Sequence, residues 1–434
     1  MTAIETVGQS TGTEANEIAQ LDATHIWHPY TRHFGMRPPP QITQAKGASL
    51  YDSDGRELLD MISSWWVTLH GHAEPSIAAA IARQSKTLEQ VIFAGFTHEP
   101  AVRFASELSA VLPAGLTRIF FSDDGSTAVE AALKIALQYW ANQGEKRNTI
   151  VALENAYHGD TFGSMSVSAR GVFSKPFRDH LFDVETLPDP TSGSTLQALD
   201  QLLREREREI AAVIVEPMLQ GAGGMRVWSA DLLRALRERT ESAGIPLIAD
   251  EVLTGFGRTG PLFACEHAGI SPDIMCLSKG ITGGFMPLGA TAVRNEIFET
   301  FSTDRDADSF FHGHSYTANP LACAAGRASL ALLDASSRDR RASIEEVHHD
   351  GIGRLARHPA VSNPRVLGTL AAVEVGDSSG YLNPIGKRIA QFALDRGVLL
   401  RPLGNVVYLL PPYCTSSDQL GQAYDVIESF LQQQ

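Results

Sequence analysis

Two stretches, IPLIADEV at 245–252 and DIMCLSKG at 273–280, decide the fold. Each is a short apolar run without alternation, the pattern of a strand buried on both faces of a parallel sheet. Each also ends in charge: Asp250-Glu251 close the first, and Lys279-Gly280 follow the second. An unpaired buried carboxylate or ammonium is costly, so groups of this kind belong at strand ends where opposite charges meet. Asp250 and Lys279 are 29 residues apart. That length accommodates one helical crossover between parallel neighbours. Both side chains are therefore expected over one pocket.

The same alternation extends outward. TRIFFSD at 117–123, TIVALEN at 149–155 and AAVIVEP at 211–217 read as further strands. STAVEAALKIALQYWANQG at 126–144, LREREREI at 203–210 and DLLRALRERTESAG at 231–244 carry helical patterns between them, and 75–82 and 100–111 read as helices as well. Alternating strands and helices predict an α/β fold with a mostly parallel sheet, covered on both faces, that binds ligands at the carboxyl ends of its strands. Upstream, the first twenty or so residues read as a polar, frayed tail. Order begins at HIWHPYT, 25–31, where Trp27, Pro29 and Tyr30 are too apolar for a tail. ASLYDSDGRELLDMI at 48–62 follows as a hairpin turning at Asp54-Gly55. Beyond an Ala-rich helix at 320–335, the stretches 366–375, 385–397 and 398–413 form a small α+β region. The expected organisation is an N-terminal arm with part of a small domain at 1–74, a large cofactor-binding domain at 75–330, and a C-terminal small domain at 331–434.

Composition narrows the function. Among 434 residues, 50 are acidic and 36 basic, a formal charge of −14. This argues against nucleic acid or an anionic membrane as partner, because both require clustered Lys and Arg. No apolar run reaches the roughly 20 residues of a membrane span. The amino terminus lacks a basic start and an apolar stretch, so a cytoplasmic location is expected. Cys265, Cys276, Cys323 and Cys414 form no CxxC pair and read as buried, reduced thiols. His70-Gly71-His72 and His312-Gly313-His314 have metal-like spacing. No acidic or cysteine cluster completes a site around them, so no metal is expected.

Three features turn the Asp250–Lys279 pair toward pyridoxal phosphate. A lysine amine can bond the cofactor's aldehyde and later shuttle a proton, while a carboxylate opposite the pyridine nitrogen keeps that ring protonated. The turn Ser122-Asp123-Asp124-Gly125-Ser126 precedes a helix. Free amides at a helix N-terminus bind phosphate, and Gly125 permits close approach. Tyr157, in ENAYHGDTFGSMS at 154–166, follows a strand and offers a flat face for a ring. The structural alternatives are an ion pair at the sheet edge and a plain Asp/Ser helix cap.

With these residues in view, the chain resembles the class-III, fold-type I aminotransferases over nearly its whole length. LIADEVLTGFGRTGPLFACEHAGISPDIMCLSKGITGG at 247–284 carries that resemblance. HIWHPYT, SSWW at 63–66, ALQYW at 136–140 and RPLGNVVYLLPPY at 401–413 are similar to the branch that aminates 8-amino-7-oxononanoate with S-adenosylmethionine in biotin biosynthesis. The resemblance implies a homodimer with small-molecule substrates. It implies Lys279 as the Schiff-base lysine, Asp250 as the pyridine-nitrogen partner, Gly125 and Ser126 as the phosphate turn, and Tyr157 as the stacking residue. Tyr30, Trp65 and Trp66 become pocket walls, and Arg401 becomes the receptor of the keto acid's carboxylate. Arg258, in GFGRTG, is a second basic residue of the motif. The loop around Gly313, His314 and Ser315 is implied to reach the partner's cofactor phosphate and substrate, with Ser315 in place of the usual threonine and His314 in place of proline. Lysine-using relatives share that form. Lysine as donor, and a diamine or ω-amino acid:pyruvate transaminase, are therefore the competing enzymatic readings. A non-catalytic binding module is disfavoured because Lys279 and Asp250 are both present. The segment at 168–182 also departs from the branch and is expected at the same entrance.

Overall fold

Seven strands form the central sheet, in the order Leu116–Ser122, Gly289–Arg294, Ile274–Leu277, Leu247–Asp250, Ile210–Val215, Thr149–Leu153, Glu185–Leu187. This computed structural model describes residues 12–376 and 380–433. Gly289–Arg294 runs antiparallel to both neighbours, and the other six strands share one direction. The sheet is thus mostly parallel, as the buried apolar runs predict. Leu247–Asp250 and Ile274–Leu277 are adjacent and parallel, with Asp250 opposite Cys276.

Alternation within the strands distributes the core between two faces. Ile248, Ile274 and Cys276 pack with the helix Gly125–Asn142 through Val129, Ala132 and Ala136. Ala249, Met275 and Leu277 pack on the opposite side with Phe104, Phe256 and Phe263. Burial on both faces is why these strands carry no polar alternation.

Three smaller sheets accompany the central one among the described residues, the smallest a two-stranded ribbon of Leu219–Gln220 and Arg226–Val227. Ile42–Lys46, Ser49–Asp52 and Glu57–Asp60 form an antiparallel meander. Val398–Leu399 joins its edge in parallel, beside Leu59 and Asp60, so segments remote in the chain share one sheet. Val361–Leu367, Leu370–Val375 and Val406–Leu409 form a three-stranded sheet. The helices Ala335–Leu355 and Ser417–Leu431 cover it around Ile344, Tyr424 and Ile427. Ala335–Leu355 is not legible as an amphipathic stripe, whereas Ser417–Leu431 is, with Leu420, Ala423, Ile427 and Phe430 buried at helical spacing. The first is rich in Arg, Asp, Glu and His, and its few apolar residues form no sustained seam.

Several expectations are corrected. Residues 1–11 of the presumed frayed tail lie outside the described residues, and Gly12–His25 is helical. Trp27 does not anchor the entry segment within one chain, since its ring is 90% exposed. Cys414 is exposed, whereas Cys265, Cys276 and Cys323 are buried. Gly289–Arg294 was not anticipated as a strand, because GATAVR is short and opens on glycine and small residues. Among the described residues no helix is long and apolar enough to cross a membrane.

Candidate active site

The carboxyl ends of the parallel strands open into a cavity of about 1110 Å³. That volume exceeds what a drug-sized ligand requires, leaving room for a cofactor and a substrate together. Asp123, Gly125, Ser126, Tyr157, Glu216, Asp250 and Lys279 stand around its floor. Pro29, Tyr30, Trp65, Phe173, Tyr381 and Arg401 stand around its mouth.

Lys279 begins a 3-10 turn immediately after its strand, with φ of 44°, a left-handed conformation unusual for a residue with a Cβ. Strain of this kind persists only where surroundings impose it. Here Ser278 Oγ donates to the Leu288 carbonyl at 2.8 Å, and a Cβ at Gly280 would stand 2.8 Å from a Leu69 methyl, which would have to shift. The lysine Nζ lies 4.9 Å from the centre of the Trp66 ring. Burial lowers the amine's pKa, opposed by the negative charges of Asp250 and Glu216. A lowered pKa favours the neutral amine, the form that acts as nucleophile or base.

Asp250 is held from two sides. Its Oδ1 accepts from the Val252 amide at 3.1 Å, and its Oδ2 lies 2.7 Å from His158 Nδ1. His158 is fully buried, and its Nε2 has no partner among the described residues. The sequence does not suggest this bond, because His158 and Asp250 lie 92 residues apart.

The plain-cap reading describes contacts seen in the structure, and it leaves the turn's first amides available to an anion. Asp124 caps the helix Gly125–Asn142 through a reciprocal box with Thr127, worth about 1 kcal/mol. Gly125 and Ser126 line the cavity, and their amides belong to the first turn, where no intrahelical carbonyl pairs them. A side chain at Gly125 would stand 2.7 Å from Val252, so only glycine keeps the approach open. Ser126 Oγ accepts from the Asp160 amide at 3.1 Å, which ties the turn to the Tyr157 loop.

Glu216 was missed, although AAVIVEP ends in a carboxylate just as LIADE does. Its oxygens accept from the amides of Tyr157 and Gly221, each at 2.9 Å. Burial pushes its carboxyl up to about 7. It thereby clamps the Tyr157 loop onto the next strand end.

At the mouth, Trp65 and Trp66 sit in a strained turn where Ser63, Ser64 and Trp66 all have positive φ. Buried Asp60 organises it, accepting from the amides of Ile62 at 3.1 Å and Ser64 at 2.6 Å, with His72 Nε2 at 2.8 Å. Trp66 is core as well as wall: its Nε1 donates to the Tyr408 hydroxyl at 2.9 Å. Trp65 remains 39% exposed, with the Arg401 guanidinium 4.4 Å from its ring centre. Tyr30 donates to the Asp160 carboxylate. Burial, then this bond, pushes the Tyr30 hydroxyl up to about 12, and burial followed by the Asp160 charge raises that of Tyr157 as well.

Not every motif residue reaches the cavity. Arg258 is buried behind it, donating to the carbonyls of Pro411 at 2.9 Å and of Trp66 and Thr68 at 3.4 Å each. It braces the tryptophan turn and touches no substrate space. Gly313, His314 and Ser315 are exposed outside the cavity lining of their own chain, with His314 Nε2 3.7 Å from Asp123. Among the described residues no cluster of His, Cys, Asp or Glu has the form of a metal site.

The residues at the floor fit pyridoxal phosphate: a helix N-terminus for phosphate, a fixed carboxylate for a ring nitrogen, a flat aromatic face, and a lysine within one space. The class-III aminotransferase model matches residues 33–431. The adenosylmethionine-8-amino-7-oxononanoate aminotransferase of Synechococcus elongatus is 52% identical over 94% of this chain and 98% of its own. The crystal structure of the like-named enzyme from Methanocaldococcus jannaschii superposes with a TM-score of 0.92 at 30% identity, covering 96% of this chain and 99% of that one. An (S)-enantioselective omega-transaminase from Thermomicrobium roseum gives 0.92 at 29% identity, covering 98% and 99%. The chain belongs to the class-III aminotransferases, enzymes that depend on pyridoxal phosphate.

Proposed function

We propose that the chain transfers an amine from S-adenosylmethionine to 8-amino-7-oxononanoate, yielding 7,8-diaminononanoate for biotin biosynthesis in the cytoplasm. The observation that carries this reading is the pairing, in one cavity, of a lysine–carboxylate floor with an aromatic mouth that ends on Arg401. None of the ion pairs between described residues uses Arg401. A guanidinium in that state suits a carboxylate, which it can hold in two parallel hydrogen bonds. The relative from Synechococcus elongatus bears the name of this reaction.

When bound, pyridoxal phosphate supplies an aldehyde that takes up the donor's amine and a protonated ring that delocalises the electron pair left at the donor's Cα. Gly125 and Ser126 take the phosphate on their amides. Asp250, fixed by His158 and the Val252 amide, holds a proton on the ring nitrogen. Tyr157 would offer its flat face to the ring. Lys279 would hold the cofactor's aldehyde, and its neutral amine, once displaced by the donor's, would take the proton from the donor's Cα and carry it. The same groups run in reverse on the acceptor. Arg401 holds the acceptor's distant carboxylate, while Tyr30, Trp65 and Trp66 bury its apolar chain and exclude water.

The cavity is completed in a homodimer. Ile92, Phe96, Phe311 and Tyr316 are each more than 60% exposed. Asn319 bonds the Glu89 carbonyl at 3.0 Å, which joins the two segments that carry them. A grouped apolar surface of this kind marks a contact face. It lies beside the loop of Gly313, His314 and Ser315, which then supplies the partner's phosphate and substrate contacts.

His314 favours a second reading for the donor, lysine in place of S-adenosylmethionine. Mixing the cofactor-loaded enzyme with each amine separates the two. The cofactor's visible absorption band should bleach with S-adenosylmethionine in a single turnover. Bleaching by lysine with none by S-adenosylmethionine would reverse the donor assignment.

A further inference from the structure

Five side chains from five separate segments form one chain of ring contacts across the cavity mouth. Arg401 lies over Trp65 at 4.4 Å; Trp65 meets Tyr30 edge-on at 5.7 Å; Tyr30 meets Phe173 at 5.6 Å; Phe173 meets Tyr381 at 4.5 Å. All five line the cavity. The first three already have places in the proposed function, and Phe173 and Tyr381 do not.

Phe173 sits on a loop with a closed base. Arg170 donates to the carbonyls of Met165 at 3.2 Å and Phe182 at 2.9 Å, and the Phe182 amide donates to Ser166 Oγ at 3.1 Å. Within the loop, the Gly171 amide donates to Ser174 Oγ at 3.0 Å. This bracing holds a phenyl ring that is 40% exposed and belongs to none of the hydrophobic clusters of the interior. Among the described residues its ring partners are Tyr30 and Tyr381, steeply inclined to it at 68° and 86°. The arch is polarised as well. One end is the Arg401 cation, and the Asp160 carboxylate stands behind its middle through Tyr30.

We infer that Phe173 and Tyr381 form a subsite for a flat heterocycle attached to a cationic donor, and that they set donor specificity. The inference rests on the donor named under the proposed function and extends it to particular residues. An anionic keto acid is drawn to the Arg401 end. A nucleoside bearing a sulfonium matches the other end, where ring faces stack on the heterocycle and attract positive charge. Lysine has no heterocycle to stack on this pair and gains from it only a cation–π contact.

The test measures, in the cofactor-loaded enzyme, the KM for S-adenosylmethionine, the KM for 8-amino-7-oxononanoate, and competitive inhibition by 5′-methylthioadenosine, which has the heterocycle but no reacting amine. Phe173→Ala and Tyr381→Ala should each raise the donor KM and the inhibition constant about ten-fold, the size of one lost aromatic contact. The acceptor KM should move less than about two-fold, and Phe173→Tyr should restore the donor KM. A wild-type enzyme that S-adenosylmethionine does not convert overturns both the donor assignment and this subsite. A wild type that does react, with variants whose two KM values rise together or not at all, overturns the subsite alone.

Discussion

The floor and the mouth of the cavity are built by opposite means. The floor takes its groups from the ends of adjacent buried strands, and backbone amides or buried side chains fix each one: Asp250 by His158 and Val252, Glu216 by Tyr157 and Gly221. The mouth takes its groups from loops and from the smaller sheets, and they remain part-exposed, with Tyr30 at 44% and Trp65 at 39%. A reaction with one chemistry and two unlike substrates calls for this division. The proton transfers need a preorganised, water-poor centre, whereas recognition of each substrate needs surfaces that engage one at a time. Floor variants should therefore depress turnover with every substrate, and mouth variants should change the KM of one.

Lys279→Ala tests the floor most severely. Loss of the proton carrier should lower kcat about 10⁴-fold or more with any donor. Steady-state rates check this, and retained transamination would remove the central assignment. Asp250→Asn keeps the shape but cannot hold the proton on the ring nitrogen. A loss on the order of 10²–10³-fold in kcat is expected, equal for both half-reactions. If only one half-reaction slows, the carboxylate belongs to a substrate and the division fails.

Glu216 sharpens the comparison through pH. Its folded carboxyl is raised from 4.5 to about 7 by burial. The folded state therefore binds more protons than the unfolded state between those values. The corresponding stability is complete below about 4.5 and is lost as pH rises through about 7, to a total of roughly 3 kcal/mol. Denaturant midpoints should fall over that window less steeply in Glu216→Gln than in wild type. Parallel slopes would mean that the floor tolerates this charge without penalty.

Arg401→Ala probes the mouth and carries the smallest expected effect. Removing a charge-assisted pair of about 1.5–3 kcal/mol should raise the acceptor KM some 10- to 100-fold, with the donor half-reaction's maximal rate preserved. A fall in both maximal rates instead would place Arg401 with the floor.

The floor was far more legible in the sequence than the mouth, and the reason is physical. An apolar run that ends in Asp or Lys places a charge at a sheet edge, so both the strand and the functional residue are written in contiguous positions. Tyr30, Phe173, Tyr381 and Arg401 are scattered over some 370 residues of chain, and no local pattern records that their rings meet. Trp65 and Trp66 show the limit clearly. Their adjacency is visible, but only the Asp60 hub and the strained turn leave one ring part-exposed at the mouth and make the other both core and wall.

By itself, then, the amino-acid order determined the parallel strands, the carboxyl-end location of the cavity, and the lysine, the carboxylate and the Gly125-Ser126 turn that stand there. Periodicity and burial of charge are local properties, readable residue by residue. Tertiary structure alone decided that His158 backs Asp250, that Glu216 clamps Tyr157, and that the arginine of GFGRTG braces three carbonyls rather than a substrate. It also decided which rings close the mouth. A hydrogen bond or ring contact between distant segments depends on how whole layers pack, and packing belongs to the folded chain rather than to any stretch of it.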